Sequence, residues 1–419
     1  MPDVVLYAQV HQPYRLSRFR VFDIGNGGRW FDDEANRAIV RRVAEKCYIP
    51  TNRLLAELIR RTDGRFRLAL SLSGVLIEQL EAEAPEALES FQGLVATGGV
   101  EVLGETYHHS LSALAHEEEF EAQVRLHRQT VARVFGGCPR VFRNTELVYF
   151  DPLASTIERL GFRGALVEGA DQILGWRSPN FVYAAESAPS LRILPRNYRL
   201  SDDVGFRFGA RGWSGWPLTA DKYADWIAGS GGDSAHLFLD YETFGEHQWE
   251  ETGIFAFLKA LPGELERRGL STLTPSEVLD RPPVARLSFP RPTSWADSER
   301  DVSAWLGNRL QQAAHERLYR LRPEVLATRD EELIGRWRRL TTSDHVYYMS
   351  TKDWDDGGVH AYFSPFETPY DAFVAFMNVL QDLEQRAAAL AERMPSTASV
   401  EDAVVVPTAA RPTPAEVAA

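Results

Sequence analysis

Residues 235–239, Ala-His-Leu-Phe-Leu, form a short apolar run suited to a buried parallel strand. Asp240, Glu242, Glu246 and His247 follow directly, interleaved with Tyr241, Phe244 and Trp249. Carboxylates move protons and aromatic rings stack on pyranose faces. A buried strand ending in both is what a sugar-cleaving cleft at the carboxyl edge of a β/α barrel requires. Taken alone, the fragment also fits a capped strand end with a solvated acidic loop. Comparable strand ends upstream favour the chemical reading.

A first strand runs into His11-Gln12-Pro13-Tyr14, where His11 and Gln12 can hydrogen-bond sugar hydroxyls and Pro13 turns both toward the mouth. A third runs into Gly104-Glu105-Thr106-Tyr107-His108-His109-Ser110. Here Gly104 allows a close turn, and Glu105 would orient a neighbour or bind a hydroxyl. Adjacent histidines diverge in direction, so zinc on His108 and His109 would need ligands from elsewhere. A fourth runs into Arg143-Asn144-Thr145-Glu146. The Arg143 guanidinium favours an ionised Glu146, the state a nucleophile needs. Glu146 and Asp240 together supply the two carboxylates of glycoside cleavage, about 5–5.5 Å apart for retention or about 6.5–9.5 Å for inversion. Asp240 suits the acid if Tyr241, Phe244 and Trp249 screen it from water.

These side chains need strand ends gathered at one face. Strand-like runs occur at 4–10, 66–72, 100–103, 140–142, 164–167, 191–194, 206–208 and 236–239, with amphipathic stretches between many of them. Residues 36–61 predict two helices divided near Pro50, and 117–135 predict one more. Strands alternating with helices imply a parallel sheet, and seven or eight of them favour a complete or imperfect barrel over an open sheet. No glycine-rich fingerprint follows the first strand to suggest a nucleotide. Thr274-Pro275-Ser276-Glu277 reads as a capping box closing the last barrel unit.

The boundaries predicted are a barrel over 1–280, a helical region over 281–394 that contributes to the cleft, and a disordered tail over 395–419. Prolines mark the first connection (Pro282, Pro283, Pro290 and Pro292). Beyond it, residues 302–321, 333–340 and 368–390 carry the spacing of three helices. An aromatic-rich loop, 347–366, is expected beside the barrel mouth.

A net charge of −13 argues against nucleic acid or an anionic membrane surface as partner. Two cysteines, Cys47 and Cys138, are too few for a disulfide framework or a thiolate metal site. No apolar run approaches a membrane span and no leader pattern precedes the first strand, so the expected location is cytoplasmic. Oligomeric state is left open.

At the chemistry-bearing residues the chain resembles glycoside hydrolase family 57, and within it the α-amylase-type members. The resemblance rests on five stretches: His11-Gln12-Pro13-Tyr14, residues 104–111, Arg143-Asn144-Thr145-Glu146, residues 240–247 and residues 294–300. It covers roughly residues 4–390, the helical region included. It implies an α/β fold, an incomplete seven-stranded (β/α) TIM-like barrel followed by a C-terminal helical bundle. It also implies retaining action on α-1,4-glucans or maltooligosaccharides, with no metal and no organic cofactor. By motif match Glu146 is the nucleophile and Asp240 the acid/base, while His11, Glu105, Trp295 and Asp297 bind substrate. Gln12, His109, Arg143, Glu242, His247, Trp249 and Trp354 complete the expected contacts. His108 stands where the amylase-type pattern has tyrosine, which would alter sugar contacts there. A glucanotransferase or branching enzyme would use the same carboxylates. Metal-dependent deacetylation or mannoside cleavage, and a non-catalytic glycan-binding look-alike, are the readings from other classes.

Overall fold

Asp3–Val10 (β1) is buried along most of its length and hydrogen-bonded on both sides, which explains its nearly unbroken apolar run. It pairs in parallel with Leu68–Leu72 (β2) on one side and Ser234–Asp240 (β8) on the other, and β2 continues to Val100–Val102 (β3). The register sets Gln9 opposite both Ser71 and Asp240, so three chemistry-bearing strand ends lie abreast. A second ladder runs from Val141–Arg143 (β4) through Gly164–Glu168 (β5) to Arg192–Arg196 (β7), again parallel. The computed structural model describes residues 1–352 and 364–393. Trp354 and the expected tail lie outside the described residues.

Gly104 joins the ladders. Its N–H donates to the Val141 carbonyl at 2.9 Å, and the Arg143 N–H donates to the Gly104 carbonyl at 2.8 Å. The residue is glycine for close approach rather than for a turn, because a Cβ here would stand 2.5 Å from the Phe162 ring. On the far side Asn197 N–H donates to the His236 carbonyl at 2.7 Å, tying the end of β7 to β8. Among the described residues seven parallel strands therefore surround the interior (β8, β1, β2, β3, β4, β5 and β7), with no ladder between β7 and β8. The barrel is incomplete, as expected. Tyr183–Ala185 (β6) pairs antiparallel with β7 and parallel with Arg286–Leu287 (β9), occupying the edge that full closure would need.

Several local expectations are corrected. Residues 206–208 are not a strand: Asn197 caps a helix, Tyr198–Gly205, accepting from Leu200 N–H at 3.2 Å, and Phe206 ends it. The short strands β6 and β9 carry no sequence signal strong enough to see. Residues 36–61 contain helices Asp33–Val43 and Ile49–Arg61, joined through a π turn, Ala44–Tyr48. Pro50 lies in the first turn of the second helix, where its missing N–H is tolerated. The capping box at Thr274 forms, with Glu277 accepting from the Thr274 N–H at 2.8 Å.

After residue 300 the apolar face expected of one helix over 302–321 is cut into Ser303–Leu306 and Arg309–Arg320, and a third helix, Arg322–Ala327, follows beyond it. Asn308 caps the second piece and Pro323 opens the third. Glu331–Leu340 and Pro369–Arg393 follow the predicted pattern, while Ser343–Tyr347 is a short helix the sequence did not announce. Trp305, Trp337, Phe376 and Leu380 form a core that also takes in Leu16, Trp30 and Phe31 from the segment after β1. Among the described residues no helix is long and apolar enough to cross a membrane.

A buried acid fixes these helices to the barrel. Glu119, on helix Glu117–Phe135, accepts from Arg338 Nε at 2.8 Å and Arg322 Nε at 3.4 Å, and its side chain has no exposure. Glu119→Ala would leave both guanidinium groups short of their partner. The expected loss is about 3 kcal/mol of unfolding free energy, read from urea unfolding, and an unchanged midpoint would contradict it.

Candidate active site

A cleft of about 920 Å³ opens at the carboxyl ends of the strands, and both Glu146 and Asp240 line it. Among the described residues with side chains at positive φ, His109, Glu146, Leu147, Asp297 and Arg300 lie in or beside this cleft. L-residues adopt that backbone only when their surroundings enforce it, and such positions gather at functional sites. At Glu146 the enforcement is visible. Ser294 Oγ donates to its carbonyl at 2.8 Å, and Thr106 and Thr145 hydroxyls join at 2.7 Å beneath it. The strained turn aims the carboxylate at two donors. His109 Nε2 donates to Oε1 at 2.9 Å, and Trp295 Nε1 donates to Oε2 at 2.7 Å.

The charges follow from these contacts. Burial alone would raise the Glu146 pKa, but the His109 hydrogen bond and charge, the Arg143 guanidinium and the Trp295 donor outweigh it. The carboxyl is held below the ordinary range. His109 is pushed up to about 9 despite burial, because it donates to Glu105 at 3.2 Å as well as to Glu146. It is an imidazolium at neutral pH with both ring nitrogens donating. Glu105 sits beneath it, fully buried, accepting from Ser71 Oγ at 2.8 Å and drawn down to about 2 against the cost of burial.

Asp240 behaves oppositely. Burial first, then the Glu146 charge, push it up to about 6, against the pull of Arg143, Arg196 and His109. Arg143 is buried against the face of Phe238, its guanidinium carbon 4.7 Å from the ring centre. Arg196, at the end of β7, pairs with Glu168 at 3.2 Å and with Asp202, and lies 5.5 Å from the Trp295 ring centre. Glu242 also lines the cleft. Burial raises it to about 8, although Tyr48 OH and the His11 N–H donate to it at 2.6 and 3.3 Å.

Of the residues predicted from sequence, Glu146, Asp240, His11, Gln12, His109, Arg143, Glu242, His247, Trp249, Trp295 and Asp297 all line this cleft. Trp354 lies outside the described residues. Glu105 is the exception among the rest, walled off beneath His109. Gln12 Oε1 accepts from Arg15 at 2.9 Å, and Asp297 pairs with Lys352 at 2.8 Å. Trp249 is 60% exposed, with Lys46 Nζ 5.8 Å from its ring centre, while burial lowers His247 to about 4. The expected screen around Asp240 is corrected: Tyr241 and Phe244 turn outward into the core between strands and helices, where Tyr241 meets Tyr48 and Phe91. His108 is also turned away from the cleft and buried beside Gln123, so it makes no altered sugar contact from there.

Sequence reasoning missed several members. Arg196 and Glu168 carry the same strand-end signal used elsewhere and were legible. Ser71 is a small polar interruption of an apolar strand, and Ser73 follows that strand as the cap of helix Gly74–Glu83. Ser343 and Asp344 arrive from the unannounced short helix, and no spacing could have placed them. Among the described residues no group of three or more His, Cys, Asp or Glu could hold a metal ion.

Two carboxyls in one cleft, one pushed down and the other pushed up in pKa, are what glycoside cleavage calls for. Residues 5–289 match the family profile Glycosyl hydrolase family 57, and the chain belongs to that family. It is 44% identical over 394 residues to a Methanocaldococcus jannaschii protein named "Putative alpha-amylase", covering 90% of this chain and 83% of that one. The fold is similar to a GH57 branching enzyme of Thermococcus kodakaraensis, solved in complex with glucose. The TM-score is 0.66 at 15% identity, over 92% of this chain and 90% of that one. It is also similar to the 4-α-glucanotransferase of Thermococcus litoralis, with TM-score 0.64 at 16% identity. That match covers 82% of this chain and 56% of the longer transferase.

Proposed function

We propose that this glycosidase cleaves α-1,4-linked glucans or maltooligosaccharides with retention, Glu146 acting as nucleophile and Asp240 as acid/base. The supporting observation is that two carboxyls lining one cleft are shifted in opposite directions, Glu146 down and Asp240 up. Glu146, anionic and steadied by His109 and Trp295, attacks the anomeric carbon. Asp240 gives its proton to the glycosidic oxygen as that bond breaks, and a glucosyl ester forms on Glu146. Water then enters, Asp240 takes its proton, and the hydroxyl displaces Glu146 from the opposite face, restoring both groups and the α-configuration. His109 remains charged throughout, stabilising the carboxylate that leaves in the second step.

Transfer to a sugar acceptor uses the same first step. The solved relatives of similar fold named as a transferase and a branching enzyme favour it as the second reading. One maltooligosaccharide, followed by NMR with product sizing, decides. The α-anomer formed first with only shorter products supports hydrolysis, and longer products support transfer. A β-anomer formed first would overturn double displacement.

A further inference from the structure

Residues 342–344 reach from the helical region into the strand-end cluster. Ser110 and Thr342 form an antiparallel bridge, Ser343 N–H donates to the His109 carbonyl at 2.9 Å, and Thr342 Oγ1 donates to the His108 carbonyl at 2.9 Å. The docking brings Asp344 Oδ2 to 3.1 Å from His11 Nε2. On the other side of that ring, Ser73 Oγ lies 2.7 Å from Nδ1. Ser73 caps helix Gly74–Glu83 by accepting from Leu76 N–H at 3.4 Å; the Asp344 carboxylate can only accept from Nε2–H, so the Ser73 hydroxyl donates to His11 Nδ1. His11 is thereby fixed as the Nε2–H tautomer, donating to Asp344. Its ring lies face to face with His109, centroids 4.1 Å apart and planes 25° apart. With both ring nitrogens engaged, His11 serves the site through its face rather than through a bond to sugar.

The geometry points to Asp344 as a positioning residue. It holds the His11 ring flat against the His109 imidazolium and so fixes the donor that grips the nucleophile. A neutral imidazole face is a suitable partner for a cation, whereas a second imidazolium would repel it. Burial and the neighbouring His109 charge both keep His11 neutral. The segment 342–344 thus makes the Glu146 site depend on the docking of the helical region. This inference rests on the nucleophile reading of Glu146.

The test compares parent, Asp344→Ala and Asp344→Asn by kinetics on a maltooligosaccharide and by ¹⁵N-histidine NMR, with His11 assigned through His11→Gln. In the parent, His11 should show the neutral Nε2–H pattern and His109 the imidazolium pattern at pH 7. Asp344→Ala should mix the His11 tautomers and lower kcat roughly 10- to 100-fold with KM nearly unchanged, the scale of a small misplacement of reacting groups. Asp344→Asn, whose amide oxygen can still accept from Nε2, should restore the tautomer and most of kcat. A parent His11 in the Nδ1–H form, or parental kcat in a folded Asp344→Ala, overturns the proposal. If Asp344→Ala does not fold, the parent spectrum and Asp344→Asn decide. If the parent turns over no glucan, the spectra still decide the positioning while the functional reading fails separately.

Discussion

Glu146→Ala is expected to lower kcat/KM by roughly 10⁴-fold or more while the protein stays folded and still binds oligosaccharide. The side chain is needed twice, as attacking group and as leaving group, and no other carboxylate stands between His109 and Trp295. Alanine keeps a Cβ at φ 56°, so the strained backbone of the turn is left as it is and the fold should be retained. The replacement opens space on the face from which Glu146 attacks. Added azide should enter there and restore turnover on an activated α-glucosyl substrate, giving a glucosyl azide of β-configuration. Parental turnover in a folded Glu146→Ala protein would remove Glu146 from the reaction.

Asp240→Asn should cost roughly 10²–10⁴-fold in kcat/KM on an oligosaccharide and much less on a substrate whose leaving group needs no proton. The pH profile separates this role from a structural one. A carboxyl raised to about 6 is protonated below that value, so acid catalysis is fully available below it and falls tenfold per unit above. Glu146 is held below the ordinary carboxyl range and must be ionised, so activity falls again only in stronger acid. The parent kcat/KM should therefore peak on the acid side of neutrality. Asp240→Asn should lose the alkaline limb near 6 and keep the acid one. A limb near 6 that survives the substitution would assign that titration elsewhere.

The barrel was readable because its strands are buried on both faces, and such strands are near-continuous apolar runs. β1, β2, β5 and β8 announce themselves this way. The strand ends were readable because polar residues directly after an apolar run have few structural uses, which is how Glu146, Asp240 and Glu242 stood out. Periodicity failed where the elements are very short. β6 and β9 span three and two residues, and a Phe-Arg-Phe alternation at 206–208 imitates a strand while ending a helix. It failed again where one apolar face covers two helices, since Asn308 cuts the stripe over 302–321 without interrupting its spacing. Tyr241 and Phe244 were near Asp240 in sequence yet face the opposite way, because the 3₁₀ turn Tyr241–Thr243 directs them outward. Asp344 illustrates the deepest limit. Its partner His11 is 333 residues away, and only the folded chain brings the two together.

The central claim is a covalent glucosyl ester on Glu146, and trapping it is the most direct test. The parent enzyme is incubated with a 5-fluoro maltooligosyl fluoride, which forms the ester readily and hydrolyses slowly, then digested and sequenced by mass spectrometry. The mass of the fluorinated glycosyl group should appear on Glu146 and on no other residue, and Glu146→Gln should show none. A label on Asp240 or Glu242, or steady turnover of the natural substrate by an enzyme that never labels, would contradict the account.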